Sequence, residues 1–154
     1  MTEVNEFMAK TTDLFESGDR LAPLEFGVTQ EFNENYLHAV EDFHPRYQNK
    51  RGSTKSLVHV GLLINYSNLT RSPSFSLPKY VSAIHSHEEI DFIGLARVGD
   101  VFAVHWVVKD RYERRGRVYQ VMETMVYGPG GEKIIRRVST NTFVGGPYTK
   151  ITRS

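Results

Sequence analysis

The sequence predicts an α+β domain in which a curled antiparallel sheet wraps one buried helix. Three observations lead there. Residues 56–70 are apolar on nearly all sides at helical spacing. From Tyr80 to Val144 the hydrophobic period falls to two, and glycine-bearing turns break that region at hairpin intervals. A helix without a polar face must be covered by more than one neighbouring helix, and the strands are the large apolar surface left to cover it.

Each element has its own signal. Residues 1–23 form an N-terminal arm, with Val4, Phe7, Met8, Leu14 and Phe15 in a short amphipathic helix that stops at Gly18. Leu24 to Thr29 alternates as a strand, and Asn33 opens a short helix to Glu41 with Tyr36, Leu37 and Val40 inward. Pro45 holds His44 extended and ends that helix. A polar loop from Gln48 to Lys55 feeds the central helix, where Ser56 is the expected N-cap and Leu57, Val60, Leu63, Ile64 and Ser67 share a side. After a breaker-rich loop over 72–78 come four consecutive strands: 80–96, bent near Gly94; 101–112; 117–127; and 134–144. Glycines mark the turns at 97–100, 114–116 and 128–132. The domain spans 24–144, followed by a tail over 145–154.

Composition narrows the function. At 154 residues, 40% hydrophobic and 24% charged, the chain has the make-up of one globular domain that buries its own core. Nineteen Lys and Arg against eighteen Asp and Glu leave a net charge of +1, so no overall field recruits nucleic acid or an anionic membrane. The lack of cysteine excludes a disulfide scaffold, a thiolate nucleophile and a cysteine zinc site, and fits a reducing cytosol. No stretch reaches the roughly 20 apolar residues of a membrane span, and residues 1–19 are too acidic for a signal peptide, so the expected location is cytoplasmic. His85 and His87 are expected on one strand face with Glu89 two residues on; without a third convergent ligand they read as solvated strand residues, and no metal is expected. Trp106, between Val104 and Val108, reads as core or subunit interface.

Four stretches, in this order, carry a family resemblance. Residues 36–47, Tyr-Leu-His-Ala-Val-Glu-Asp-Phe-His-Pro-Arg-Tyr, are similar to a short helix followed by Asp-x-Asn-Pro-x-His. Val60-Gly61-Leu62-Leu63 resembles a His-Gly-Met-Leu at the central helix. Arg97-Val98-Gly99-Asp100 and Arg114-Arg115-Gly116-Arg117-Val118-Tyr119 resemble two sheet turns. All four belong to the pattern of the MaoC-like (R)-specific enoyl-CoA hydratase and 3-hydroxyacyl dehydratase family, particularly its N-terminal-type domains, and the order of elements resembles the hot-dog fold.

The resemblance implies an acyl thioester substrate, on coenzyme A or acyl carrier protein, and no further cofactor. Hydration of a 2-enoyl thioester needs an acid/base group and a stabiliser for the enolate. In the family the motif Asp and His move the proton, and backbone N–H groups at the central helix polarise the thioester oxygen. Carried over, Asp42 matches the Asp and Gly61, beside Val60, the helix Gly. Tyr47 stands where the His belongs and His44 where the Asn belongs; a phenol is a far weaker base near neutrality than an imidazole. The implied catalytic set is Asp42, His44 and Tyr47, with Val60, Gly61, Arg114, Arg115 and Arg117 at the substrate, the arginines toward phosphate. His59, one residue before the position matching the helix His, is expected to serve the core or a cap. The resemblance also implies a homodimer, or a heteromer with a second hot-dog subunit on which full catalysis would depend. The alternatives are a non-catalytic scaffold shaping an acyl tunnel, and an acyl-CoA thioesterase.

Overall fold

Three long strands alternate buried and half-exposed side chains, and this period of two sets the architecture. A computed structural model describes residues 16–48 and 55–148. Among these, β1 (Arg20–Gly27), β2 (Ser82–Phe92), β3 (Val101–Arg114), β4 (Arg117–Tyr127) and β5 (Lys133–Val144) form one antiparallel sheet in the order β1-β3-β4-β5-β2. Two helices, α1 (Gln30–Ala39) and α2 (Val60–Tyr66), accompany it. Phe102, Val104, Trp106 and Val108 of β3, Met122 and Val126 of β4 and Ile135 of β5 join Leu62 and Leu63 of α2 in the main core. Bulges in β1, β2 and β3 bend the sheet. Pro23 falls in the bulge of β1, an edge strand, where its missing N–H interrupts no central ladder.

The central helix is shorter than the 56–70 that the apolar pattern suggests. Leu57 bridges Arg97, Val58 N–H donates to the Ala96 carbonyl at 2.9 Å, and Val98 N–H donates to the Ser56 carbonyl at 2.9 Å. These bonds pull 56–58 into extended chain, so the N-cap is His59 and not Ser56. At the other end, Trp106 Nε1 donates to the Ser67 carbonyl at 3.0 Å. Arg137, whose side chain is 5% exposed, donates to the Ile64 carbonyl, Ser67 Oγ and Asn68 Oδ1 and pairs with Glu88 of β2. A guanidinium at a helix C-terminus meets both the free carbonyls and the negative end of the dipole.

Other expectations change in detail. α1 begins one turn earlier than Asn33, capped by Thr29, and Val40 is exposed. The strand from Tyr80 does not pair with its successor: β2 crosses to β5 and β3 lies against β1, so the four strands are not a simple meander. His85 and His87 do not share a face, because the bulge at Ser86 sets His85 opposite Asn141 and His87 opposite Thr140. The expected N-terminal helix and most of the tail lie outside the described residues. Among the described residues no helix is long and apolar enough to cross a membrane.

Leu63 is 2% exposed in the middle of this packing. Leu63→Ala should lower unfolding free energy by about 2–5 kcal/mol, measured by denaturant titration, through lost transfer energy and a residual cavity.

Candidate functional site

α1 ends in a turn that fixes Asp42. Glu41 N–H donates to the His38 carbonyl and Asp42 N–H to the Leu37 carbonyl at 3.0 Å, the paired bonds of a Schellman motif. Glu41 takes the left-handed position at φ 55°, where glycine is usual. A glutamate there costs about 1–2 kcal/mol of backbone strain, which the two bonds and the following loop hold in place. Asp42 then closes the loop onto itself, its Oδ1 accepting from His44 N–H at 3.0 Å.

The other carboxylate oxygen reaches across to α2. His59 Nε2 lies 3.0 Å from Asp42 Oδ2, and His59 Nδ1 accepts from Gly61 N–H at 2.9 Å. With Nδ1 an acceptor, the ring is the Nε2–H tautomer and donates to Asp42. The bond to His44 N–H, joined by that from His59, holds the Asp42 carboxyl below its ordinary range.

The backbone of His59 is held by a third element. Its N–H donates to Asn33 Oδ1 at 3.0 Å, and Asn33 Nδ2 donates to the Leu57 carbonyl at 3.0 Å. Asn33 is fully buried and spends its amide bracketing the turn into α2. The His59 ring sits between two tyrosines, with ring centroids 5.1 Å from Tyr36 and 4.9 Å from Tyr47. Tyr36 Oη rests where a Cβ on Gly61 would project, so the glycine is required for this approach of α1 to α2.

Beside this polar cluster opens a cavity of about 380 Å³, walled by Tyr47, Leu57, Val58, Val60, Leu63, Ile135 and the segment Phe92 to Ala96, with Arg46 among its lining residues. The Arg46 guanidinium stands 5.5 Å above the Tyr47 ring. A Cβ on Gly94 would meet the Lys133 carbonyl at 2.7 Å, which explains the glycine at this bend.

The structure thus brings Asp42, Tyr47, Val60 and Gly61 together, with His59 at their centre. His44 meets Asp42 through its backbone N–H, while its ring Nδ1 accepts from Arg46 N–H at 3.2 Å and caps the turn Pro45–Tyr47. Arg114, Arg115 and Arg117 are not brought to this cluster. They sit at the tip of the β3–β4 hairpin, Arg114 ending β3, Arg115 in the turn and Arg117 opening β4, roughly 40 Å along the strand from Val101. Arg114 is also three positions past Arg111, which pairs with buried Gln120, so it faces away from α2. The cation at the cavity is Arg46. Sequence reasoning missed Asn33 and Arg46; it expected His59 in the core or at a cap, and His59 is the N-cap of α2, with its bond to Asp42 in addition.

Folding lowers the Asp42 pKa, so its carboxylate contributes stability above the unfolded value and loses it as pH falls through the folded one. Asp42→Asn should therefore melt below the wild type at pH 7. Thermal scans should show the gap closing as pH drops below the ordinary carboxylate value of 3.8.

No protein-family model matches the chain, and no curated protein matches it. Solved structures do. The monoamine oxidase regulatory protein of Archaeoglobus fulgidus superposes with a TM-score of 0.73 at 16% identity, over 91% of this chain and 99% of that one. The MaoC-like dehydratase of Rhodospirillum rubrum gives 0.66 at 15% identity, covering 86% and 95%. The HadBC (3R)-hydroxyacyl-ACP dehydratase complex of Mycobacterium tuberculosis gives 0.65 at 18%, covering 86% and 98%. The sheet, its helix and the comparisons agree: this chain has the hot-dog fold, shared over nearly its whole length with MaoC-like dehydratases and (R)-hydratases.

Proposed function

We propose that the chain is an acyl thioester-binding hot-dog subunit of the hydratase/dehydratase kind that works beside a second hot-dog subunit, which performs the proton transfer. One observation carries this reading. Asp42, His59 and Gly61 are hydrogen-bonded to one another while an apolar cavity stays open next to them. A general base needs a free lone pair and a pKa near the working pH. Here one imidazole nitrogen is occupied by Gly61 N–H, the other faces Asp42, and the Asp42 carboxyl is held low. The N–H of Gly61, the group that would polarise a thioester oxygen, is covered by the chain's own histidine.

Two further features support the pairing. β2 is a sheet edge, and Ile84, Phe92, Ile93 and Leu95 on and just after it are all exposed. Among the similar structures are complexes of two components, HadBC and ChsH1-ChsH2 of M. tuberculosis.

The isolated protein should bind a 2-enoyl-CoA in calorimetry yet leave its enoyl absorbance unchanged. Hydration should appear on mixing with a hot-dog subunit that has the full Asp-x-Asn-Pro-x-His motif, and Asp42→Asn in this chain should leave the mixture's rate within about twofold, well short of the 10²-fold or more that loss of an acid/base group costs. Hydration by the isolated protein, abolished by Asp42→Asn, would make it an enzyme in its own right. Failure to bind any acyl thioester at millimolar concentration would leave a scaffold.

A further inference from the structure

Tyr47 is 7% exposed and lines the apolar cavity beside α2; its hydroxyl has no hydrogen bond with a described residue and is not fully enclosed, so it keeps accessible surface. A phenol at an apolar wall whose hydroxyl stays accessible offers an O–H donor to a molecule that fills the cavity. Its position is well determined. The turn Pro45–Tyr47, capped by the His44 ring, delivers the residue; the His59 ring packs 4.9 Å away, and the Arg46 guanidinium lies 5.5 Å over the phenol face. His59 in turn is fixed by Asp42, Gly61 and Asn33, so the ring against Tyr47 has little freedom. The remaining walls named for this cavity, from Leu57, Val58, Val60, Leu63 and Ile135, carry no polar side-chain atom. A ligand that fits has an aliphatic body and one oxygen able to accept a hydrogen bond.

We propose that Tyr47 donates its phenolic O–H to the carbonyl oxygen of an acyl thioester lodged in this cavity, holding the ligand without transferring a proton. The proposal rests on the acyl-binding reading above and names the group that recognises the acyl head. No bond is made or broken: the phenol keeps its proton, and the carbonyl gains the donor that Gly61 N–H, engaged by His59, does not offer.

The test compares two probes on the wild type and on Tyr47→Phe by calorimetry: hexanoyl-CoA, and hexyl-CoA, a thioether of equal length without the carbonyl. Tyr47→Phe should weaken hexanoyl-CoA about threefold to tenfold, the worth of one neutral hydrogen bond, and leave hexyl-CoA unchanged. Equal weakening of both probes, or of neither, overturns the role of Tyr47. If the wild type binds neither probe, the acyl-binding reading itself falls, a result distinct from the other two. Infrared spectra of hexanoyl-CoA labelled with ¹³C at its carbonyl give a measurement on the wild type alone. The bound thioester band should move to lower frequency than in an apolar solvent, and an unshifted band overturns the proposal even if Tyr47→Phe does not fold.

Discussion

The structure depends on how a helix of seven residues is held in place. Two turns of helix have little stability of their own, and four N–H and four carbonyl groups at the ends would stay unsatisfied without tertiary partners. Both ends of α2 are fastened by side chains, all but that of its own cap residue coming from other elements. Asn33 and the His59 ring secure the entrance, while Trp106 and Arg137 take the carbonyls of the exit. Leu62 and Leu63 then press into the sheet. Cap, helix and sheet form one assembly in which the polar bonds set the position and apolar burial supplies the driving force.

The same fastening explains the character of the cluster around Asp42. His59 serves the backbone of α2 with one nitrogen and Asp42 with the other, so a single imidazole joins the loop after α1 to the start of the helix. A residue so used has no nitrogen to spare. What remains beside it is an apolar space edged by a phenol and a guanidinium.

Much of this was legible in the sequence, for identifiable reasons. The period-two pattern located β3, β4 and β5 nearly to the residue because one face of each meets the core. The apolar run over 56–70 promised a long helix, yet 56–58 pair with 96–98, a long-range contact that local periodicity cannot register. The crossing of β2 to β5 escaped for the same reason. In the site, the motif likeness led to Asp42, Tyr47 and Gly61, all of which gather there. His59 caps α2 as its position suggested, while its bond to Asp42, 17 residues away, leaves no local trace; Asn33 was passed over because a buried asparagine in mid-helix looks like an N-cap. The arginine hairpin drew notice by its charge and its likeness to a sheet turn, neither of which says where in space a hairpin tip lies.

Arg137 stands on β5, the last strand, and its bond to the Ile64 carbonyl spans 73 residues. A contact of that separation forms late, after the loop entropy of the intervening chain has been overcome. During synthesis the helix emerges long before the residue that secures its exit, and Glu88, the partner of Arg137, also precedes it by 49 positions. Until β5 is made, residues 60–66 lack the side chain that secures the exit of α2, and a two-turn segment has little helical stability of its own. A chain truncated ahead of β5 would therefore lose the guanidinium that secures the exit of α2 and Ile135 of the core beside it.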